Sequence, residues 1–207
     1  MNKIILLAFS VGMITLAACN NSEPKQANNM SGMKDTAQTA KAETKAEKEV
    51  TTVTPGFVSL DAKMSESIKT IVNHYLHIKN ALANDNASEA ANGGKAMVDA
   101  MAKVDKSLLT PEQKKVYDAN EEDLKENAEH IDKNSGNIEH QREHFSMMST
   151  DIYDLAKAFG GGQTLYHDHC PMYNDKGAMW ISETIEIKNP YLGSKMPTCG
   201  EVKEKIK

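Results

Sequence analysis

The chain is poor in cysteine, in aromatic residues and in excess positive charge, and each shortage removes a class of explanation. Three cysteines in 207 residues are too few for a disulfide-dense scaffold. Lys and Arg number 24 against 29 Asp and Glu, a net charge of −5, so no basic surface points to nucleic acid. Beyond residue 18 no apolar run approaches the ~20 residues that a bilayer crossing requires. None of the seven histidines follows Glu-x-x, the signature of di-iron bundles, and no Cys-x-x-Cys-His offers covalent haem attachment. Aromatics make up 5% while methionine reaches 12 residues. Thioether sulfur fills cores, but it is also a soft metal ligand.

What is present begins with an address. Lys3, an apolar stretch from Ile4 to Leu16 and the small residues Ala17 and Ala18 lead directly to Cys19. Residues 1–18 therefore read as a signal peptide rather than a membrane span. The Leu-Ala-Ala-Cys ending resembles the lipobox of bacterial lipoproteins, in which Cys19 becomes the first mature residue and carries the lipid. This predicts a periplasmic protein anchored to a membrane through Cys19, with Asn20 favouring the outer membrane. Cys170 and Cys199 would then sit in an oxidising compartment. Residues 19–56 are rich in Ala, Lys, Glu and Thr and lack any aromatic, which predicts a disordered tether spanning roughly 30–35 Å. Met30 and Met33 lie within it at Met-x-x-Met spacing, a copper-collecting pattern as well as a chance one in a linker.

Residues 57–162 carry helical periodicity. Met64, Ile68, Ile71, Tyr75, Ile78 and Leu82 alternate steps of four and three, the seam of a helix that ends at Asn84-Asp85-Asn86. A second segment steps through Ala90, Gly94, Met97, Met101, Val104 and Leu108, where Gly93-Gly94 marks either a close helix contact or a break. Thr110-Pro111-Glu112-Gln113 supplies an N-cap, a proline at the first helical position and the Gln of a capping box. The fourth segment runs through Ile138, Gln141, Phe145, Met148, Ile152, Leu155 and Phe159 and stops at Gly160-Gly161-Gly162. Short connections favour antiparallel neighbours, so the predicted fold is mainly α: an antiparallel, up-and-down four-helix bundle.

Five histidines fall in the bundle. His77 and His130 point away from their seams and are expected to be solvated, while His74 sits at a seam's edge. His140, His144 and Met147 share one flank of the fourth helix, and an i, i+4 histidine pair can hold a soft or borderline metal if another element supplies a third ligand. His140-Gln141-Arg142-Glu143-His144 also matches the H-x-x-E-H string of inverted zinc proteases. That chemistry needs a third ligand and a substrate-binding edge strand, and no downstream acidic residue stands out, so no enzyme is expected.

Residues 163–207 change character. Within positions 167–199 lie Cys170, Cys199, His167, His169, Met172, Met179, Met196 and the only tryptophan, Trp180. Alternation at Trp180-Ile181-Ser182 and at Ile185-Glu186-Ile187 predicts short strands between turns, giving a small, irregular, β-containing module packed on the bundle. Thiolate and thioether select Cu(I) and similar ions over Mg or Ca. Cys170-x-Met172 and Met196-x-x-Cys199 form two sulfur pairs of opposite order, with His169 and then His167 as imidazole donors and His144 and His140 behind them. The same two cysteines could instead form a disulfide worth roughly 2–4 kcal/mol. Trp180 and Tyr191 are expected in the module's core.

The strings Cys170-Pro171-Met172, Gly177-Ala178-x-Trp180-x-Ser182-Glu183, Glu186-Ile187-x-Asn189-Pro190-Tyr191-x-Gly193-x-x-Met196 and Cys199-Gly200 resemble an uncharacterised-domain family. Its members are stand-alone lipoproteins of Gram-negative bacteria and C-terminal extensions of copper and silver efflux adaptors of the membrane-fusion type. The resemblance covers roughly residues 65–202 and is most specific in the last 35 of these. It implies periplasmic handling of Cu(I) or Ag(I), as a sink or as a donor to a heavy-metal efflux system, with Cys170, Met172, Met196 and Cys199 at the motif positions. The competing expectation is a non-metal envelope interaction protein whose C-terminal cap is locked by a disulfide.

Overall fold

The computed structural model describes residues 50–207. The expected signal peptide, the lipid site at Cys19, Met30, Met33 and most of the tether lie outside the described residues. Four helices follow one another: α1 (Ala62–Ala83), α2 (Ala87–Met101), α3 (Pro111–Lys133) and α4 (Ile138–Phe159). Each packs on the next and α4 returns to α1, which closes an up-and-down bundle. None of these helices is long and apolar enough to cross a membrane.

The seam of α1 is buried as its spacing predicts, from Met64 through Leu82. Asp61 caps it by accepting from the Lys63 and Met64 amides, and Thr110 and Gln113 form the expected capping box at α3. Gly93-Gly94 proves to be a close contact. A Cβ on Gly94 would lie 2.6 Å from the Ala128 carbonyl oxygen of α3, and one on Gly93 would lie 2.8 Å from Ile78 Cγ1 of α1. The two glycines thus let three helix backbones approach. The second helix is shorter than its periodicity predicts: α2 ends at Met101, and residues 106–108 form a 3₁₀ turn capped by Asp105. The Asp105 carboxylate accepts from Ser107, a local bond that competes with helix continuation.

The C-terminal residues form one sheet in the order β1-β4-β2-β3, with β1 (Thr51–Val53), β2 (Leu165–Cys170), β3 (Ala178–Ser182) and β4 (Glu201–Ile206). β2 is antiparallel to both neighbours, and β1 joins β4 in parallel. Two strands differ from expectation. Residues 51–53, assigned to the tether, are β-branched and pair with the sheet edge. The Gly56 and Phe57 amides then donate to the Lys157 and Ala158 carbonyls, both at 2.9 Å. Residues 51–56 therefore belong with the sheet and bundle rather than to the tether. Ile185-Glu186-Ile187 is not a strand; its place is taken by the charged segment of β4.

Sheet and bundle share one core. Leu165, Cys170, Trp180, Ile181, Tyr191 and Ile206 belong to the same buried cluster as Ile68, Tyr75 and Phe145. Trp180 and Tyr191 are core aromatics, their rings 5.9 Å apart at 76°.

Candidate metal centre

Most of the C-terminal motif builds a clasp between sheet and bundle. Asn189 is fully buried. Its Oδ1 accepts from the Tyr191 and Leu192 amides at 2.8 and 2.9 Å, and its Nδ2 donates to the Cys199 carbonyl at 2.7 Å. Arg142 of α4 reaches the same turn: Nε donates to the Pro190 carbonyl at 2.9 Å, and Nη2 to the Leu82 carbonyl at 2.9 Å and to Asp85 at 2.5 Å. Hydrogen bonds from Ser194 and Arg142 hold the Asp85 carboxyl down at about 2. Gly193, at φ 50°, leaves no room for a Cβ, which would overlap the Asp85 and Arg142 side chains.

Ser182 and Glu183 anchor the other end. The ammonium of Lys79, fully buried on α1, donates to Glu183 at 2.7 Å, and Asn80 donates to the same carboxylate at 2.8 Å. Burial lowers the Lys79 pKa. Burial raises that of Glu183, but the Asn80 and Lys79 hydrogen bonds outweigh it and the net shift is downward. Beside this pair lies Asp168, buried on β2, whose carboxyl is pushed up to about 8 by desolvation. The Trp180 indole N–H interacts with it without completing a normal hydrogen bond.

Four motif residues are left with sulfur. Cys170 is buried at the end of β2, Cys199 is half-buried, and both are free thiols. They are close enough to interact, and burial first, then that contact, pushes the Cys199 thiol up to about 11. The Met172 amide N–H reaches the Cys199 sulfur, and the Cys199 amide donates to the Met196 carbonyl at 3.2 Å. Two cysteines 29 positions apart are therefore neighbours, and both methionines lie on the turns that bracket them. Met172 is 57% exposed and Met196 39%.

The strand histidines are placed differently. Adjacent strand positions face opposite ways, and Asp168 and Cys170 are buried where His167 and His169 are only half-buried. His167 packs against the Tyr153 ring, centroids 4.4 Å apart and tilted by 39°. Its Nδ1 stands 3.8 Å from Glu204, and burial lowers its pKa. His169 lies against Gly177, where a Cβ would fall 2.7 Å from Nε2. Neither joins both cysteines in a group of three close ligand atoms among the described residues.

His140 and His144 find their third partner in His130. Ligand nitrogens of these three lie within 4.8 Å of one another, the one such group among the described residues. The His130 and His144 rings stack at 4.1 Å and 9°, and His140 meets His144 edge-on at 4.5 Å. The His130 side chain, expected to be solvated, is 44% exposed, and its ring also packs against His144 of α4. The side of α3 turned to α4 carries no apolar period: Asn127 is buried there and bonds His144. Met147, the other flank residue, is half-exposed beside a cavity also lined by Asp123, Asn127, His144 and Asp151. His77 pairs with Glu89 at 2.6 Å instead.

Residues 71–164 match the model of a family described as a protein of unknown function (DUF3347). The match supports the resemblance to an uncharacterised-domain family over most of the bundle. It ends one residue before β2, so the sulfur-bearing motif lies beyond it. No curated protein and no solved structure matches the chain.

Proposed function

We propose that the protein is a lipid-anchored periplasmic binder of Cu(I) or Ag(I), held to the membrane through Cys19 and acting as a sink or as a donor to a heavy-metal efflux system. One observation carries this proposal. The motif's Ser182, Glu183, Asn189 and Gly193 are each engaged in the clasp, whereas two thiols are brought together between two exposed thioethers. Two thiolates and up to two thioethers form a donor set selective for a soft monovalent ion. Exposed methionines permit transfer by ligand exchange. Cys170 and Cys199 would hold the ion, with Met172 and Met196 as labile donors. His169 and His167 are at most peripheral, and no residue set is assigned a catalytic role.

The test is an anaerobic Cu(I) titration of the reduced, full-length protein in detergent against a chromophoric chelator, with thiols counted before and after. One tightly held ion, with both thiols protected and affinity lost in Cys170→Ala/Cys199→Ser, is expected. Absence of competition, together with no free thiols in protein taken from cells, would make the pair a structural disulfide. The protein would then be the envelope interaction module with a locked cap.

A further inference from the structure

We propose a second metal site, independent of the sulfur site and of different chemistry: His130, His140 and His144 bind one borderline divalent cation, Zn(II) or Cu(II), on the α3–α4 face. Imidazole is a donor for such ions, as thiolate and thioether are for Cu(I). Two helices supply the ligands, His130 from the last turns of α3 and the His140/His144 i, i+4 pair from the first turns of α4. Residues four apart stand one above the other on a helix, so that pair presents two nitrogens to a single point. The tight turn between α3 and α4 brings the third ring to it.

A bound Zn(II) at Zn–N distances near 2.0–2.1 Å sets tetrahedral nitrogens about 3.3 Å apart. The observed ceiling of 4.8 Å requires a closure of about 1.5 Å, which rotation of two partly exposed side chains provides. The stacked arrangement of His130 on His144 is thus a metal-free packing that tilts to converge.

His144 is already set for this role. Asn127 Nδ2 donates to the Asp123 carbonyl at 2.8 Å, which fixes its Oδ1 as an acceptor. That oxygen receives His144 Nδ1 at 2.9 Å. Nδ1 therefore carries the proton and Nε2 keeps its lone pair, the arrangement in which a supporting hydrogen bond orients a metal-binding imidazole. Asn127 is a positioning residue. Carboxylates add negative potential at the rim: Glu143 lies 3.4 Å from His140 and Glu126 3.9 Å from His130. Three protein ligands leave one coordination position open.

The site does not share residues with the sulfur pair, and α4 turns different sides to the two. Arg142 and Phe145 face the C-terminal module, touching Pro190 and Tyr191, while His144 faces α3.

The test is a Zn(II) titration of the untagged, full-length protein in detergent against a chromophoric chelator, in the wild type and in Cys170→Ala/Cys199→Ser. One Zn(II) per chain, equally tight in both proteins, is expected. His130→Ala should weaken it by more than tenfold, and Asn127→Ala by about 10-fold or more, as supporting residues of metal ligands do. Helical circular dichroism of His130→Ala should match the wild type, because that side chain is substantially exposed. Binding unaffected by His130→Ala would overturn the proposal. So would binding that disappears with the cysteines, or the absence of stoichiometric Zn(II) binding in the wild type.

Discussion

Asp168 should make the protein less stable as pH rises through the neutral range, and Asp168→Asn should abolish that dependence. The carboxyl is buried on β2 and pushed up to about 8, first by desolvation and then by the nearby Glu183 charge, against the opposing pull of Lys79. Lys79, Glu183, Trp180 and Tyr75 are the groups that face it. In the unfolded chain the same carboxyl titrates near ~3.9. Between these values the folded state holds a proton that the unfolded state has released. Stability is therefore fully present below the unfolded value and is lost as pH rises toward the folded one. One proton of difference corresponds to about 1.4 kcal/mol per pH unit, or roughly 2–3 kcal/mol between pH 5 and 7. Asn keeps the neutral shape and cannot ionise, so the variant loses this slope while other titrating groups cancel in the comparison. Urea denaturation followed by the fluorescence of the single tryptophan, Trp180, at pH 5, 6 and 7 gives the two curves. Parallel wild-type and variant profiles would refute the assignment of a neutral acid at this position.

Three further substitutions probe the architecture that supports the sites. Gly94→Ala places a Cβ 2.6 Å from the Ala128 oxygen. Overpacking of about 1–3 kcal/mol, less about 1 kcal/mol from better helix propensity, should leave a lower melting temperature. Gly136→Ala meets nothing within 4 Å and should change stability by less than about 0.5 kcal/mol; equal effects would contradict the close helix contact. Arg142→Met leaves the Pro190 and Leu82 carbonyls without their buried donor. It should cost about 2–4 kcal/mol in urea denaturation and expose residues 189–196 to protease. The Asp85–Arg142 contact, with Asp85 held down at about 2, should stabilise fully above the ordinary carboxylate pKa and fade as pH falls toward 2.

Where local rules decide structure, the chain was legible. The α1 seam, the Thr110 capping box and the glycine stop after Phe159 each rest on nearby residues, and each is found as expected. Partners supplied from afar were harder to foresee. Val104 and Leu108 keep the helical step, yet Asp105 caps a new turn between them. β4 carries Lys and Glu in alternation and looks like a solvated tail until β2 pairs with it. Lys79 and Arg142 did leave a signal, since both are charged residues set on apolar helix faces at steps of three and four from buried neighbours. Such a placement demands a buried acceptor, and the acceptors lie in the motif over 45 residues away. His130 left none, because a polar α3–α4 rim carries no apolar period.

The division of labour within the C-terminal motif narrows where chemistry can reside. Trp180 fills the core, Ser182 and Glu183 receive Lys79, Asn189 ties its own turn to Cys199, and Gly193 admits Asp85 and Arg142. Each of these residue types is required by a contact visible in the fold, so their presence needs no ligand to explain it. The sulfur residues differ. Cys170 could pack as well if it were another small apolar residue, and Met172 and Met196 expose apolar surface that packing gives no reason to expose. An architecture that spends its polar motif residues on fixing two turns, and sets a thiol pair between those turns, positions the thiols and leaves the flanking thioethers exposed. If Met172→Leu and Met196→Leu preserve stability while weakening Cu(I) retention, the clasp and the sulfur set are separable parts. If they destabilise the module instead, the methionines are packing residues and the metal chemistry rests on the thiols alone.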